Sequence, residues 1–311
     1  MITGAKSSVL LGIESSLGQE AQATYKLPFT SESLNHTVEA IRSEALLGNR
    51  GIKSLAPGQI GAEGSLDVEL YPETAGVLFY LALGKSVLDV DHTKITPIAL
   101  TEDLPSASIE VNHGGEAFKY LGMKINQLRF SGSVGAIPTV SADFVGIEEQ
   151  SGSLTEGTIV TPGDDPYYFK ELKLYTDEFS TTTDLYSSIE LTINNNLTTD
   201  DYRLDGTGKR KTLEAAQLEI TGTIDIILDS SVITNEYTKY KDFTEASIGI
   251  ELAKDATNTL KIYIPRLLFS NMTHDIGGPD KVMLRAEFTA LIPQSGEIIY
   301  VEDYTNDVGS Y

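Results

Sequence analysis

Cysteine and tryptophan are absent from this 311-residue chain, and histidine occurs only four times. Without cysteine there is no disulfide framework and no thiolate for metal, redox or nucleophilic chemistry. His36, His92, His113 and His274 leave little material for histidine-based catalysis. Basic residues are scarce too: 23 Lys and Arg stand against 45 Asp and Glu, a formal net charge of −22. Such a chain repels polyanions at moderate salt, which disfavours sticky contact with nucleic acid or anionic membrane. No apolar run is long enough to span a bilayer. MITGAKSS, followed only by the short apolar run 9–13, does not read as a signal peptide.

Catalytic and metal-binding patterns are equally thin. Asp89-Val90-Asp91-His92 resembles a fragment of a metal site but lacks the glycine and glutamate of a calcium loop. Gly132-Ser133-Val134-Gly135 lacks the residue count of a nucleophile elbow. No phosphate-cradling glycine loop ends in Lys-Ser/Thr. The paired acids Asp164-Asp165 and Asp200-Asp201 lie in polar turns, where Asp is ordinary. The one basic run, Lys209-Arg210-Lys211, has no interleaved aromatics and is short for a nucleic-acid groove. The expectation is a protein that is not an enzyme, with no cofactor and no metal.

What the chain does contain is itself, twice. Residues 54–70, SLAPGQIGAEGSLDVEL, align without a gap with residues 212–228, TLEAAQLEITGTIDIIL. Leu55/Leu213, Gln59/Gln217, Gly64/Gly222, Asp67/Asp225 and Leu70/Leu228 are identical pairs. An internal repeat of this kind decides domain organisation before any fold is guessed. Both copies end in period-two alternation: Leu66, Val68 and Leu70 on one face, Ser65, Asp67 and Glu69 on the other. In the second copy Ile224, Ile226 and Leu228 oppose Thr223 and Asp225. That pattern is a strand with one side on a core and one side wet.

Further blocks keep the same order. Pro72–Leu83 is predicted as a helix, with Pro in its first turn, Glu73 favouring the dipole and Gly84 as its stop. Residues 230–243 hold a shorter helix, whose Tyr237 and Tyr240 are assigned to the core. Ala107-Ser108-Ile109 then matches Ala246-Ser247-Ile248, INQLRFS (125–131) matches IPRLLFS (264–270), and Ala142-Asp143-Phe144 matches Ala286-Glu287-Phe288. The spacing implies extra residues in the first copy around 88–105 and in the second around 271–279.

The expected organisation is mainly β, with a first domain over 1–150 carrying an N-terminal arm. A linker over 151–166 leads to a second domain over 167–311 with a C-terminal arm. Each domain has one flanking α-helix. A duplicated domain without catalytic residues suits an architectural use. Three such chains would build a pseudo-sixfold ring, edge strands would pair around it, and the wet faces would line a pore.

The stretch FTSESLNHTVEAIRSEALLGNRGIKSLAPGQIGAEGSLDVELYPE, the apolar helix GVLFYLALG and the closing strands YLGMKINQLRFSGSVGAIPTVSADFVG resemble the tail tube (major tail) proteins of long-tailed bacteriophages. With the second half taken as a diverged repeat, the resemblance covers nearly the whole chain. It implies a β-sandwich subunit with a flanking helix, strands in a continuous inner β-barrel, and a long loop reaching the next ring. Stacked rings would form the tube through which DNA is ejected. Most relatives carry the fold once, so two copies imply a trimer in place of a hexamer. Ser65, Asp67, Glu69, Thr223 and Asp225 are then expected to face the lumen. Arg50, Lys53, Lys209, Arg210 and Lys211 are expected on inter-ring loops. The implied partners are further copies of this chain and other tail proteins, namely tape measure, terminator and distal tail proteins. DNA would pass without specific binding, and no membrane is involved. The implied location is the virion tail, assembled in the host cytoplasm. Two alternatives stay open: a tandem β-sandwich module recognising carbohydrate, against which the missing tryptophan counts, and another virion or secretion-tube component.

Overall fold

A computed structural model describes residues 3–45, 48, 51–99, 101–274, 281–305 and 311. The first half contains β1 (Ser8–Ile13), β2 (Ala23–Leu27), β3 (Phe29–Glu32), β4 (Asn35–Arg42), β5 (Leu55–Glu69) and α1 (Pro72–Leu83). It continues through β6 (Gly84–Leu88), β7 (Thr93–Pro97), β8 (Ala107–Asn112), β9 (Ala117–Ser133) and β10 (Thr139–Gly146). After β11 (Glu148–Ser151) and β12 (Glu156–Val160) come β13 (Leu172–Tyr175), β14 (Tyr186–Asn194) and β15 (Glu219–Ile227). A short helical segment follows, α2 (Ser230–Val232), a π turn over Ile233–Tyr237, and α3 (Thr238–Lys241). The chain closes with β16 (Ala246–Asp255), β17 (Asn258–Thr273), β18 (Met283–Ala290) and β19 (Tyr300–Asp303). The fold is mainly β, as expected from the sequence.

Helix α1 has the predicted bounds. Gly84 ends it in the left-handed region at φ 96°, donating its N–H to Tyr80 O. Nearly every residue of α1 is buried, Thr74 and Gly76 included, so it is a core helix without a wet face. It touches β2, β6, β7 and β9 as well as β17 and β19, and so packs against strands of both halves.

The two halves pair their strands in the same order. In the first, β5 lies beside β10, β10 beside β9, and β9 beside β8. In the second, β15 lies beside β18, β18 beside β17, and β17 beside β16. The register matches in detail: Gly64 faces Phe144 and Gly222 faces Phe288, while Leu66 faces Ala142 and Ile224 faces Ala286. Bulges match as well, since Ile125 faces Phe144 and Gln127 faces Asp143, just as Phe269 faces Phe288 and Asn271 faces Glu287.

These ladders correct one alignment. They put Ile125 level with Phe269 and Leu128 level with Met272, whereas residue identity had set Leu128 against Leu267. The extra residues of the second half therefore belong to its longer β16–β17 hairpin, around 252–260, and not to 271–279. Identity misled because INQLRFS and IPRLLFS are alike in alternation, and alternation is blind to a slip along the strand axis. The extra residues of the first half form the β6–β7 hairpin, with Asp89 to His92 as its turn.

Three stretches read as loose are packed. The N-terminal stretch supplies β1 and β2, which pair with each other and with β8, and Val9 and Leu11 are core residues. Residues 151–166, expected as a linker, hold β12 in parallel pairing with β2, and Leu154 is buried. The C-terminal stretch supplies β19, which bridges β17 of the second half to β7 of the first. Beyond it, Thr305 Oγ1 donates to Pro72 O at 3.0 Å and the Tyr311 ring stacks on Tyr80 at 5.4 Å.

Candidate functional face

Alternation in β5 puts Leu66 and Val68 in the core and turns Ser65, Asp67 and Glu69 to the opposite side. In β15, Ile224 and Ile226 are buried while Thr223 and Asp225 turn away from the core. Residues directly opposed in an antiparallel ladder share a face. Glu69 faces Thr139, Asp67 faces Ser141 and Ser65 faces Asp143. The next ladder sets Ser131 against Thr139 and Arg129 against Ser141.

The decisive contact joins the halves. Strand β9 pairs with β14 from Gln127 opposite Asn194 to Ser133 opposite Ser188. One antiparallel sheet therefore runs β3 and β4, β5, β10, β9, β14, β15, β18, β17. Across the seam Ser131 meets Glu190, Glu190 meets Thr223, and Thr223 meets Glu287. All five strand residues singled out in the sequence thus stand on one polar face of one sheet.

That face is acidic beyond the residues first identified. Asp143, Glu190, Glu219 and Glu287 lie on it too, against two arginines, Arg129 and Arg285. Arg285 Nη1 is 3.6 Å from Asp225 Oδ1, an exposed pair that contributes about 0–1 kcal/mol. Ser188 Oγ donates to Asp225 Oδ2 at 2.8 Å, and Ser31 Oγ donates to Asp67 Oδ2. The missed acids carry a usable signal, since Glu190 and Glu287 each alternate with buried Leu191 and Ala286. What the sequence does not show is that β14 and β18 join the same sheet.

The two long loops differ. Arg50 lies outside the described residues. Lys53 is exposed beside the β4–β5 hairpin, on which Val38, Ile41, Ile52 and Leu55 are uncovered. The loop between β14 and β15 instead folds onto the first half. Lys209 Nζ donates to Glu148 Oε2, and Arg210 Nη1 donates to Gly146 O at 2.9 Å. Leu197 and Leu213 share a buried cluster with Leu104 and Val145, and Lys124 Nζ donates to Leu213 O at 2.9 Å. Burial pushes the Lys124 ammonium pKa down. Hydrogen bonds from Arg203 and Thr212 hold Asp201 below the usual carboxylate range. Lys211 is exposed. Lys209 and Arg210 are thus engaged within the chain, which the sequence did not reveal.

Compared with known protein families, residues 4–290 match the phage tail tube protein family. The chain belongs to that family. The match runs through both halves and through the 151–166 stretch between them. It favours a structural component of the virion tail over the carbohydrate-binding alternative, and the family is not an enzyme class. No curated protein matches the chain. Among the described residues, no helix is long and apolar enough to cross a membrane.

Proposed function

We propose that this tail tube protein carries the tube fold twice, and that three chains close a ring whose lumen is lined by the polar face of the long sheet. The observation that carries this is the β9–β14 ladder, which joins the strands of the two halves edge to edge with their acidic faces on the same side. The same kind of joint, repeated between chains, would turn the sheets of three chains into a closed barrel and remove exposed strand edges. Ser65, Asp67, Glu69, Thr223 and Asp225, with Asp143, Glu190 and Glu287, would then line the channel. DNA meeting carboxylates finds no counterions to release and slides during ejection. Stacked rings would extend the tube, with Lys53 and Lys211 free to meet acidic surface of the adjacent ring. Tape measure, terminator and distal tail proteins are the partners at its core and ends, and assembly would take place in the host cytoplasm. Negative-stain electron microscopy of the concentrated protein, with light scattering on the same sample, tests the proposal. Hollow stacked rings with three chains each support it. Rings of six chains, or solid filaments, would overturn the stoichiometry or the channel.

A further inference from the structure

The chain holds two copies of one contact, and only one of them is made. Leu213 and Leu104 sit in a common buried cluster at 0% and 3% exposure. Their counterparts are Leu55, which precedes Leu66 as Leu213 precedes Ile224, and Phe243, which precedes Ala246 as Leu104 precedes Ala107. Those two are 63% and 70% exposed. Beside it, Lys209 and Arg210 hold Glu148 and Gly146, and in the other half two further apolar side chains, Ile52 level with Arg210 and Ile292 level with Glu148, are exposed at 54% and 74%. Four large apolar side chains in open solvent, two at positions that meet each other in the other half and two beside them, make an unfilled interface.

We infer that the β4–β5 hairpin of one chain docks on the second half of another copy of this chain. Leu55 packs against Phe243, repeating between chains what Leu213 of the 195–218 loop does within one, and Ile52 and Ile292 lie at the edge of that contact. The occupant is a second copy because the template contact is the chain's own. The chemistry also divides sensibly. The contact inside one chain uses an ion pair and a buried leucine pair, while the contact between chains is apolar and gains from leaving water only when subunits meet. The hairpin therefore serves lateral assembly within a ring, in addition to any role between rings. This inference rests on the ring proposal for which copies are neighbours.

The chain has no native cysteine, so single introduced thiols report cleanly. Leu55→Cys and Phe243→Cys are made in separate chains, both at exposed positions, then mixed, assembled and oxidised. The expected result is a disulfide-linked pair of chains on a non-reducing gel, at least about tenfold stronger than from Leu204→Cys mixed with Phe243→Cys. Tubes that form without the Leu55–Phe243 bond overturn this docking and leave the ring proposal standing. A mixture that neither assembles nor forms the bond overturns both. As a second measurement, Leu55→Asp should leave the melting temperature of the unassembled subunit unchanged and abolish assembly; normal assembly by this variant overturns the docking.

Discussion

Phe288 lies opposite Gly222 across the β15–β18 ladder, and a Cβ on that glycine would stand 2.3 Å from the phenylalanine Cζ. Phe144 holds the matching place opposite Gly64, but there the nearest obstacle is backbone, Ser33 O at 2.3 Å, and φ is +151°. At Gly222 a backbone carbonyl, Glu190 O at 2.5 Å, crowds the same Cβ, so the two sites differ in the ring and in φ. Gly222→Ala should cost about 1–3 kcal/mol from overpacking, and Phe288→Leu in the same chain should recover part of it. Gly64→Ala should cost at least as much, with no rescue by Phe144→Leu, because every atom crowding that Cβ is backbone and its φ disfavours a side chain. Urea unfolding of the single and double variants checks both, and rescue at Gly64 would contradict the backbone explanation.

Asp303 is buried at the junction of β19, α1 and the C-terminal residue. It accepts from Thr305 N–H at 3.1 Å and from Tyr311 Oη at 2.5 Å, and its Oδ1 stands 2.7 Å from Thr305 Oγ1. Burial raises its pKa above 3.8 despite those bonds, and it pushes the Tyr311 hydroxyl up as well. A carboxyl with a raised folded-state pKa contributes stability that is complete below the unfolded value and is lost as pH rises through the folded value. Asp303→Asn removes that dependence while keeping an acceptor for Thr305. The melting temperature of the parent protein should therefore fall relative to Asp303→Asn as pH rises from about 4 towards neutrality. Parallel melting curves for the two proteins across that range would show that the carboxyl does not titrate there.

Local structure was legible where the signal was local. Pro72 and Gly84 bracket α1, and Leu66/Val68 and Ile224/Ile226 mark the two strands by alternation. The sheet they belong to was not legible. It depends on Gln127 meeting Asn194 across the middle of the chain, and no periodicity reports which strands become neighbours. For the same reason the acids on β14 and β18 went unassigned. The polar terminal stretches read as arms because Ser, Gln and Glu dominate them, yet Val9, Leu11, Ile299 and Val301 are wholly buried. A few apolar anchors sufficed, since each strand borrows its hydrogen bonds from a sheet already formed.

Charge on the long face sets how DNA would behave beside it. Glu190 and Glu287 flank Thr223 and are both exposed, so Glu190→Lys with Glu287→Lys should leave folding intact. In assembled tubes each substitution recurs in every chain, giving a lysine-lined band. Such tubes should bind a short labelled DNA duplex at about 50 mM salt and release it towards about 200 mM, because each neutralised phosphate frees a counterion. Tubes of the parent protein should not bind at either salt. Fluorescence anisotropy reads the difference, and equal binding by both would mean that this face does not border the channel.

Arg210 and Lys211 are sequence neighbours with opposed expectations. The Arg210 side chain is only 9% exposed and donates from Nη1 to Gly146 O at 2.9 Å and from Nε to Thr199 O at 3.0 Å. It also lies 3.8 Å from Glu63, so it ties the β14–β15 loop to the first half of its own chain. Arg210→Ala removes a charged donor from two carbonyls and should cost about 1.5–3 kcal/mol of subunit stability. Lys211 is exposed, and Lys211→Glu should change stability by less than about 0.5 kcal/mol. If Lys211 meets acidic surface of the next ring, that reversal shortens tubes at low salt, and the defect weakens as salt screens the repulsion. Melting curves together with tube-length distributions separate the two roles. Full-length tubes from Lys211→Glu at every salt would remove this lysine from ring stacking, and an unchanged melting temperature for Arg210→Ala would remove the arginine from holding the loop.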